Sequence, residues 1–343
     1  TKPMEGGLAS SSLLAHVAVR KCVDAVPVER TGRILAREGA DIASSTLHAW
    51  FGFVCEQAGL LAPVAHQQLL QSRLISLDDT QLLSKKHDDR AGTQRGRLWM
   101  YVGDVQTVAL CRFTPDWKGT RPQAVLEGFE GKVQLDGYGG LNPMFKMRDD
   151  LTRIGCNDHC RRHFVQALSD GDKRAAPVVD VYRRLYEVEA EARARQFGPD
   201  ERLELRQERS VPLWAELGHA IASLEGQVSK KSALGKGVRY FTKQNRFLRA
   251  YLDDGFVPIS NVHVEQLIRT IALFRKNSLF VGSTEAGERF ADLMTLMVNC
   301  ALCGANPYDY LTDILTRLAD GWPASRKAEL MPRAWLAAKQ GAQ

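Results

Sequence analysis

The order of strand-like and helical segments constrains this chain most. The segments in chain order are three β-like runs (Arg73–Leu77, Leu98–Val102 and Thr107–Phe113), a short helix near residues 124–129, a strand ending at Asp136, a strand over Thr152–Cys156 and a helix over His159–Leu168. Polar stretches separate the first three runs, which predicts an antiparallel meander. A meander followed by alternating helices and strands is the order of an RNase H-like core, an α/β fold with a mixed sheet. In that fold the first and fourth strands each carry a carboxylate.

Carboxylates occupy the corresponding positions here. Asp78 ends the run Leu74–Leu77, Asp136 ends the run Val133–Leu135, and Glu265 lies on a predicted helix far downstream. Mg²⁺ prefers oxygen ligands and few protein carboxylates, so this trio is a candidate for a metal pair that drives phosphodiester chemistry. The alternative is that each Asp is an ordinary turn residue after a strand.

Composition sets the broad class. The chain has 343 residues with 44% hydrophobic content, which predicts two or three domains with a substantial core. A net charge of +6 is compatible with binding nucleic acid without demonstrating it. No apolar run approaches the length of a membrane span and no signal peptide is recognised, so we expect no membrane partner and a cytoplasmic location.

The cysteines indicate reduced thiols. They number seven, an odd count, and are dispersed along the chain, which favours a reducing compartment over a disulfide framework. Cys156, His159 and Cys160 with Cys300 and Cys303 form an alternative zinc-site hypothesis. The competing interpretation is that these cysteines are small buried packing residues.

The N-terminal region to about residue 70 has a helical pattern. Gly39 is placed to close one helix, and Ser44 or Ser45 to cap the next. A helix, a short turn containing glycine and a second helix make a helix-turn-helix, which would offer Ser45, Thr46 and His48 to the DNA major groove. An ordinary helical hairpin is the alternative.

A basic segment lies in the charged helical stretch between about 170 and 254. Its cations are Lys230, Lys231, Lys236, Arg239, Lys243, Arg246 and Arg249, with Tyr240, Phe241 and Phe247 among them. Spacings of three and four residues place several of these charges on one helix face. Such a face can follow DNA phosphates or be an ordinary solvated surface.

Several motifs together resemble the transposases of the insertion-sequence-sixty-six family, DDE-type enzymes of bacterial mobile elements. The motifs are Leu13–Val17, Ser44–Leu47 with Trp50, Asp78–Thr80, Gly96–Val102, Leu135–Gly140, Gly155–Cys156 with His159, Arg161, Arg162 and Phe164, Asn261 with Glu265 and Arg269, Arg275–Phe280 and Asn306–Tyr310. The similarity runs from about Gly7 to Trp335.

The resemblance implies a catalytic triad of Asp78, Asp136 and Glu265, with Asp79 as the runner-up for the first position. It implies Mg²⁺, with Mn²⁺ as a substitute, as the cofactor held by the same three residues. The reaction implied is cleavage at the ends of a bacterial insertion sequence and transfer of the freed strand to target DNA. Further candidate DNA contacts are Arg269, Arg275, Lys276, His159 and Arg162, and a buried core position is the alternative for His159.

The resemblance also implies the domain layout and the assembly. The predicted segments are a helix-turn-helix-like DNA-binding region over 1–70, the first part of the RNase H-like core over 71–169, a charged helical insertion over 170–254, the last part of the core with the catalytic Glu over 255–320, and a C-terminal tail over 321–343. We expect a homo-oligomer in a synaptic complex with element ends and target DNA, associated with the nucleoid. In the family, a cysteine-rich zinc-binding module and a coiled coil precede the region matched here.

Some residues depart from the family pattern. Ser260 stands where the family typically has Asp, and Gln266 where it has Arg, while the three carboxylates are kept. Two functional alternatives follow: a metal-dependent nuclease of the same fold that cleaves without joining, and a catalytically inactive, transposase-derived DNA-binding protein.

Overall fold

The structure is a computed structural model that describes residues 2–4, 6–85, 92–104, 107–278 and 281–341. Leu279 and Phe280, which end one of the motifs above, lie outside the described residues. The chain is a mixed α/β protein and forms two compact units. Unit 1 combines Thr1–Glu130 with His263–Gln343, and unit 2 is the continuous segment Gly131–Val262.

Helices predominate over strands. The helices are α1 (Ser11–Cys22), α2 (Val28–Arg37), α3 (Ser44–Gly59), α4 (Ala62–Leu70), α5 (Thr120–Val125), α6 (Asn142–Met147), α7 (Asn157–Ser169), α8 (Ala176–Ala194), α9 (Pro199–Leu205), α10 (Val211–Ala222), α11 (Ala233–Arg249), α12 (Val262–Asn277), α13 (Thr284–Cys303), α14 (Pro307–Ala319) and α15 (Pro332–Gly341). The strands are β1 (Leu74–Lys85), β2 (Thr93–Gly103), β3 (Val108–Thr114), β4 (Gly131–Leu135) and β5 (Leu151–Gly155).

In unit 1, β1, β2 and β3 form the predicted antiparallel meander. Asp78 pairs with Met100 of β2, and Met100 pairs in turn with Cys111 of β3. One detail of the prediction was wrong: β1 does not end at Asp78 but continues to Lys85, so Asp78 lies inside the strand. The continuation is stable because Thr80, Leu82 and Ser84 are buried and residues to Lys85 pair with β2.

Helix α13 seals the outer edge of β3. The Asn299 Oδ1 atom accepts a hydrogen bond from the Ala109 amide at 3.0 Å, and its Nδ2 donates to the Ala109 carbonyl at 2.7 Å. One helical turn earlier, the Thr295 hydroxyl accepts from the Cys111 amide at 2.9 Å. Both side chains are buried. They satisfy backbone groups that an edge strand otherwise leaves open.

The N-terminal helices α1 to α4 confirm the predicted helical region. Gly39 takes a φ of +92° and follows Glu38, the C-cap residue of α2, so it closes that helix as predicted. The predicted serine cap was wrong. Helix α3 starts at Ser44 itself, Ala43 occupies the cap position, and no side chain caps the helix.

Unit 2 has a parallel strand pair covered by helices. β4 and β5 are parallel, with Leu135 opposite Gly155. Helices α7, α8, α10 and α11 supply a core that includes Phe164, Tyr182 and Trp214. Asn157 begins α7 and its buried amide donates to the Leu248 carbonyl at 2.9 Å and the Ile259 carbonyl at 3.2 Å. These bonds tie the end of β5 to the last segments of the unit.

Across the described part of the chain, the helices are too short or too polar for any of them to span a lipid bilayer.

Candidate functional site

Asp78 and Asp79 are neighbours on β1 with different environments. Adjacent residues on a strand face opposite sides of a sheet. Arg97 and Trp117 hold Asp79: Arg97 Nη1 donates to its Oδ2 at 2.9 Å, and Trp117 Nε1 donates to its Oδ1 at 3.1 Å. The Arg97 guanidinium also lies 4.1 Å from the centroid of the Trp117 ring.

The Asp79 carboxylate is therefore built into a local cluster with Arg97 and Trp117. Its side chain is 11% exposed, and both oxygens accept hydrogen bonds from protein donors. The half-buried Asp78 carboxylate accepts the Asp79 amide at 2.8 Å through Oδ1. The hydrogen bonds to both of its oxygens disfavour Asp79 as a ligand for a substrate or metal.

Asp136 lies in unit 2, directly after β4. Its Oδ1 accepts a hydrogen bond from the Tyr138 amide at 2.8 Å, a local turn that fixes the carboxylate at the end of the strand. Gly137 leaves no room for a side chain, because an added Cβ would lie 2.6 Å from the Tyr240 ring. Burial, and then the charge of Asp136, raise the pKa of Tyr240. The hydroxyl therefore stays neutral beside this carboxylate.

Arg153 supports the Asp136 segment from β5. Its Nη2 donates to the Asp136 carbonyl at 3.2 Å, and its Nη1 donates to the Asn142 side chain. Burial lowers the pKa of Arg153. Arg153 was not predicted as a site residue. An arginine in the apolar strand run Leu151–Gly155 was the available signal.

Glu265 lies in the first turn of α12, in unit 1, and its Oε1 atom is buried. Contacts of Arg275 and Phe274 hold this helix in unit 1. Arg275 Nη1 donates to the Thr80 hydroxyl at 3.2 Å and to the Gln81 carbonyl at 3.3 Å on β1. The Phe274 ring stacks on Phe290 of α13, with centroids 4.4 Å apart.

The predicted DNA contacts on α12 fall into two groups. Arg269 and Lys276 are exposed. Arg275 is half-buried and bonded to β1, which is a structural role for its guanidinium. None of these contacts is tested by the structure, and DNA binding by Arg269, Arg275 and Lys276 stays a prediction.

The other predicted DNA contacts lie on α3 and α7. Ser45 and His48 are exposed in the first turns of α3, and Thr46 is half-buried. His48 Nε2 lies 3.1 Å from Glu29 Oε1, which links α3 to α2. On α7, Arg162 is exposed with its Nη2 3.7 Å from Asp158, and His159 is half-buried. Contact with DNA at these five residues also stays a prediction.

The cysteines of the zinc-site hypothesis lie in buried or half-buried positions. Cys156, Cys160 and Cys300 are buried. Burial raises the pKa of Cys160 to about 12, and it raises that of Cys300 as well. Burial is what the packing interpretation predicts for these cysteines, and the zinc-site hypothesis stays a prediction.

Comparison with protein families gives two matches that together cover nearly the whole chain. Residues 6–289 match the family described as Transposase IS66 family, and residues 295–333 match the IS66 C-terminal element. No solved structure is a significant match.

Three relatives come from Sinorhizobium fredii (strain NBRC 101917 / NGR234), each named only as an uncharacterized protein. The first, y4qI, is 32% identical over 96% of this chain and 63% of its own length. The second, y4jD, is 30% identical over 98% of this chain and 68% of its own length. The third, y4hP, is 27% identical over 96% of this chain and 63% of its own length. The chain therefore spans about two thirds of the length of these relatives.

Proposed function

Because the chain belongs to the IS66 family of transposases, we propose that it is a DDE-type enzyme. It would cleave DNA at the ends of a bacterial insertion sequence and transfer the freed strand to target DNA. Asp78, Asp136 and Glu265 are the proposed catalytic carboxylates, on an RNase H-like core. The partners are element ends and target DNA, bound by a homo-oligomer.

The observation that best supports the proposal is that Asp78 and Asp79 have different environments. A sequence with two adjacent acidic residues leaves the ligand position open. The Arg97 and Trp117 contacts occupy both Asp79 oxygens, and a carboxylate committed to an arginine has little capacity left for a cation. Asp78 faces the other side of β1 and keeps the first position of the triad.

The three side chains fit a hard divalent cation by their chemistry. Each offers carboxylate oxygens, the donors that Mg²⁺ and Mn²⁺ prefer. The buried Glu265 Oε1 is the kind of anionic atom that a cation stabilises inside a protein. When bound, the metal would supply Lewis acid activation of the attacking oxygen and stabilisation of the leaving 3′ oxygen.

The chain's own residues have definable tasks in this reaction. Pairing with Met100 in the antiparallel ladder fixes the backbone of Asp78. The Tyr138 amide and the Arg153 guanidinium hold Asp136, the first through its carboxylate and the second through its carbonyl. Glu265 lies near the start of α12. Arg275, near the end of the same helix, donates a hydrogen bond to β1. Such supporting contacts maintain the orientation of ligand side chains.

The test compares Asp78→Asn, Asp136→Asn and Glu265→Gln with the wild-type chain in Mg²⁺-dependent cleavage of a duplex carrying an element end. Loss of groups that merely support a metal ligand costs about 10–100-fold, so we expect loss of a ligand to lower cleavage by at least about 100-fold. Binding of the duplex, measured by mobility shift, is expected to persist. Chelation with EDTA should abolish wild-type cleavage, and Mn²⁺ should restore it.

Asp79→Asn is the matched control, because it makes the same chemical change one residue away. It weakens the Arg97 contact and is expected to lower stability by about 1–3 kcal/mol while keeping metal-dependent cleavage. Normal cleavage in the Asp78 and Glu265 variants would contradict the assignment and support an inactive, DNA-binding descendant. Cleaved ends without joined product would identify a nuclease instead.

A further inference from the structure

Unit 2 contains a positively charged cleft of about 620 Å³ beside the Asp136 segment. It lies where α6 and β5 meet the C-terminal half of α11. Its charged and aromatic residues are Phe145, Lys146, Arg153, Lys243, Arg246 and Phe247. Four of these are cations, and no acidic residue is found among the described residues that line the cleft.

Arg153 gives this cleft an unfilled hydrogen-bonding position. The residue is only 6% exposed, and its two terminal nitrogens donate to Asn142 and to the Asp136 carbonyl. Its Nε atom is buried and has no hydrogen-bond partner among the described residues. Leaving a buried donor unsatisfied costs about 1–3 kcal/mol, and more for a charged group. An acceptor from a bound water or from a ligand would satisfy this donor.

The aromatic residues of the cleft hold arginines. The Arg153 and Arg246 guanidinium groups lie 4.6 Å and 4.4 Å from the centroid of the Phe247 ring. Arg153 also lies 5.8 Å from the Phe145 centroid. Guanidinium groups stacked on a ring are oriented by it. Because guanidinium groups already occupy the Phe247 ring, it is a poor platform for stacking a DNA base.

We propose that this cleft binds the phosphodiester backbone of DNA next to Asp136. The proposal rests on the proposed function and adds a substrate-binding subsite to it. Arginines recognise phosphate oxygens through paired N–H donors, and Lys146 and Lys243 add charge at the rim. Arg153 is a positioning residue, since it connects the bound backbone to the carbonyl of a proposed catalytic carboxylate. Contacts of this kind fix register without reading sequence.

The test removes two exposed cations of the cleft in the full-length chain with Lys243→Gln/Arg246→Gln. Binding of a labelled mixed-sequence duplex is followed by fluorescence anisotropy over a range of salt concentrations, without divalent metal. Each lost phosphate contact lowers the slope of log K against log salt by about 0.9. We therefore expect a slope smaller by about 2 and, at ~0.1 M salt, affinity lower by at least roughly tenfold.

Lys173→Gln/Arg193→Gln is the matched control. It removes the same number of charges from exposed positions on unit 2 that do not line the cleft. We expect its slope and affinity to match the wild-type values. Equal losses in both double variants would overturn the proposal, because they would show a general electrostatic effect. An unchanged slope in the cleft variant would also overturn it.

The result of this binding test can be distinguished from the result of the cleavage test. If the Asp78, Asp136 and Glu265 variants keep cleavage but the cleft variant loses binding, the catalytic assignment fails and the subsite stands. If the cleft variant binds normally while the carboxylate variants lose cleavage, the reverse holds. Circular dichroism spectra that match the wild type would show that the exposed substitutions leave the fold intact.

Discussion

Arg206 is fully buried in unit 2, and its guanidinium is matched by acceptors on every side. Nε and Nη2 donate to the two Glu189 oxygens at 2.7 Å each. Nη1 donates to the carbonyls of Tyr251 and Asp254 at 2.7 and 2.8 Å. The residue opens a short π-helical segment, Arg206–Ser210, between α9 and α10. One side chain thus joins α8, this segment and the chain that follows α11.

We expect Arg206→Met to lower the free energy of unfolding by about 3–5 kcal/mol, because removing one partner of a buried pair leaves the other charge unpaired. Urea unfolding followed by circular dichroism measures the change. Arg209→Gln is the control from the same segment. Arg209 is an exposed partner of Glu191, and exposed pairs contribute about 0–1 kcal/mol. Equal effects of the two substitutions would show that Arg206 is not the anchor of this segment.

Individual residues also show which contacts cannot be predicted from the sequence. Strand alternation separates Asp78 from Asp79 onto opposite faces, and that much follows from sequence. One partner of Asp79, Trp117, lies 38 residues away in the sequence, and no local pattern predicts such a contact. Arg153 is a second case. Its hydrogen bonds go to Asn142 and to the Asp136 carbonyl, and its sequence neighbours on β5 do not predict them.

At the scale of elements, the contact of α13 with β3 is unusual because a helix takes the place of a strand. An amide side chain can present a donor and an acceptor on the same side, as one residue of a strand presents its N–H and C=O, so Asn299 can pair with both backbone groups of Ala109. Thr295 continues the row at Cys111, one turn away on α13. The spacing of i and i+4 on the helix thereby covers two positions of the strand edge.

Asn299→Leu should destabilise unit 1 by roughly 2–6 kcal/mol, since it leaves two buried backbone groups unsatisfied at about 1–3 kcal/mol each. It should also promote aggregation through the opened edge. Thermal unfolding and light scattering measure the two effects. Glu288→Gln, an exposed change on the same helix, is expected to remain within about 0.5 kcal/mol of wild type. A stable, monodisperse Asn299→Leu variant would show that the edge needs no cover.

Strands and helices were predicted best where the pattern is local. The meander was found because each run is short, apolar and bounded by polar residues. The second half of β1 was missed because Asp is a common turn residue after a strand, whereas pairing with β2 keeps the chain extended to Lys85. The cap of α3 was assigned to serine by preference, yet Ser44 became the first helical residue behind Ala43.

At the scale of the whole molecule, the two units differ in how the chain builds them. Unit 2 is one continuous segment with its own buried core. Unit 1 needs two segments that are far apart in sequence, because α13 seals a strand formed much earlier. Composition predicted more than one domain, but it could not show that residues 263–343 form one unit with residues 1–130.

Expressed as separate segments, residues 131–262 and residues 1–130 are therefore expected to behave differently despite nearly equal length. The first should show helical circular dichroism and cooperative thermal unfolding, since its core is complete. The second lacks α13 and should aggregate or remain unfolded, because the edge of β3 is open. Cooperative unfolding of residues 1–130, or none for residues 131–262, would contradict this account.

The seal on β3 also determines when this protein can finish folding. Ala109 and Asn299 are 190 residues apart, and chains are synthesised at roughly 5–20 residues per second. The edge of β3 thus waits about 10–40 s on the ribosome before its covering helix exists. During that interval the nascent chain is open to strand pairing with other chains, so the speed of translation and access to chaperones become determinants of yield.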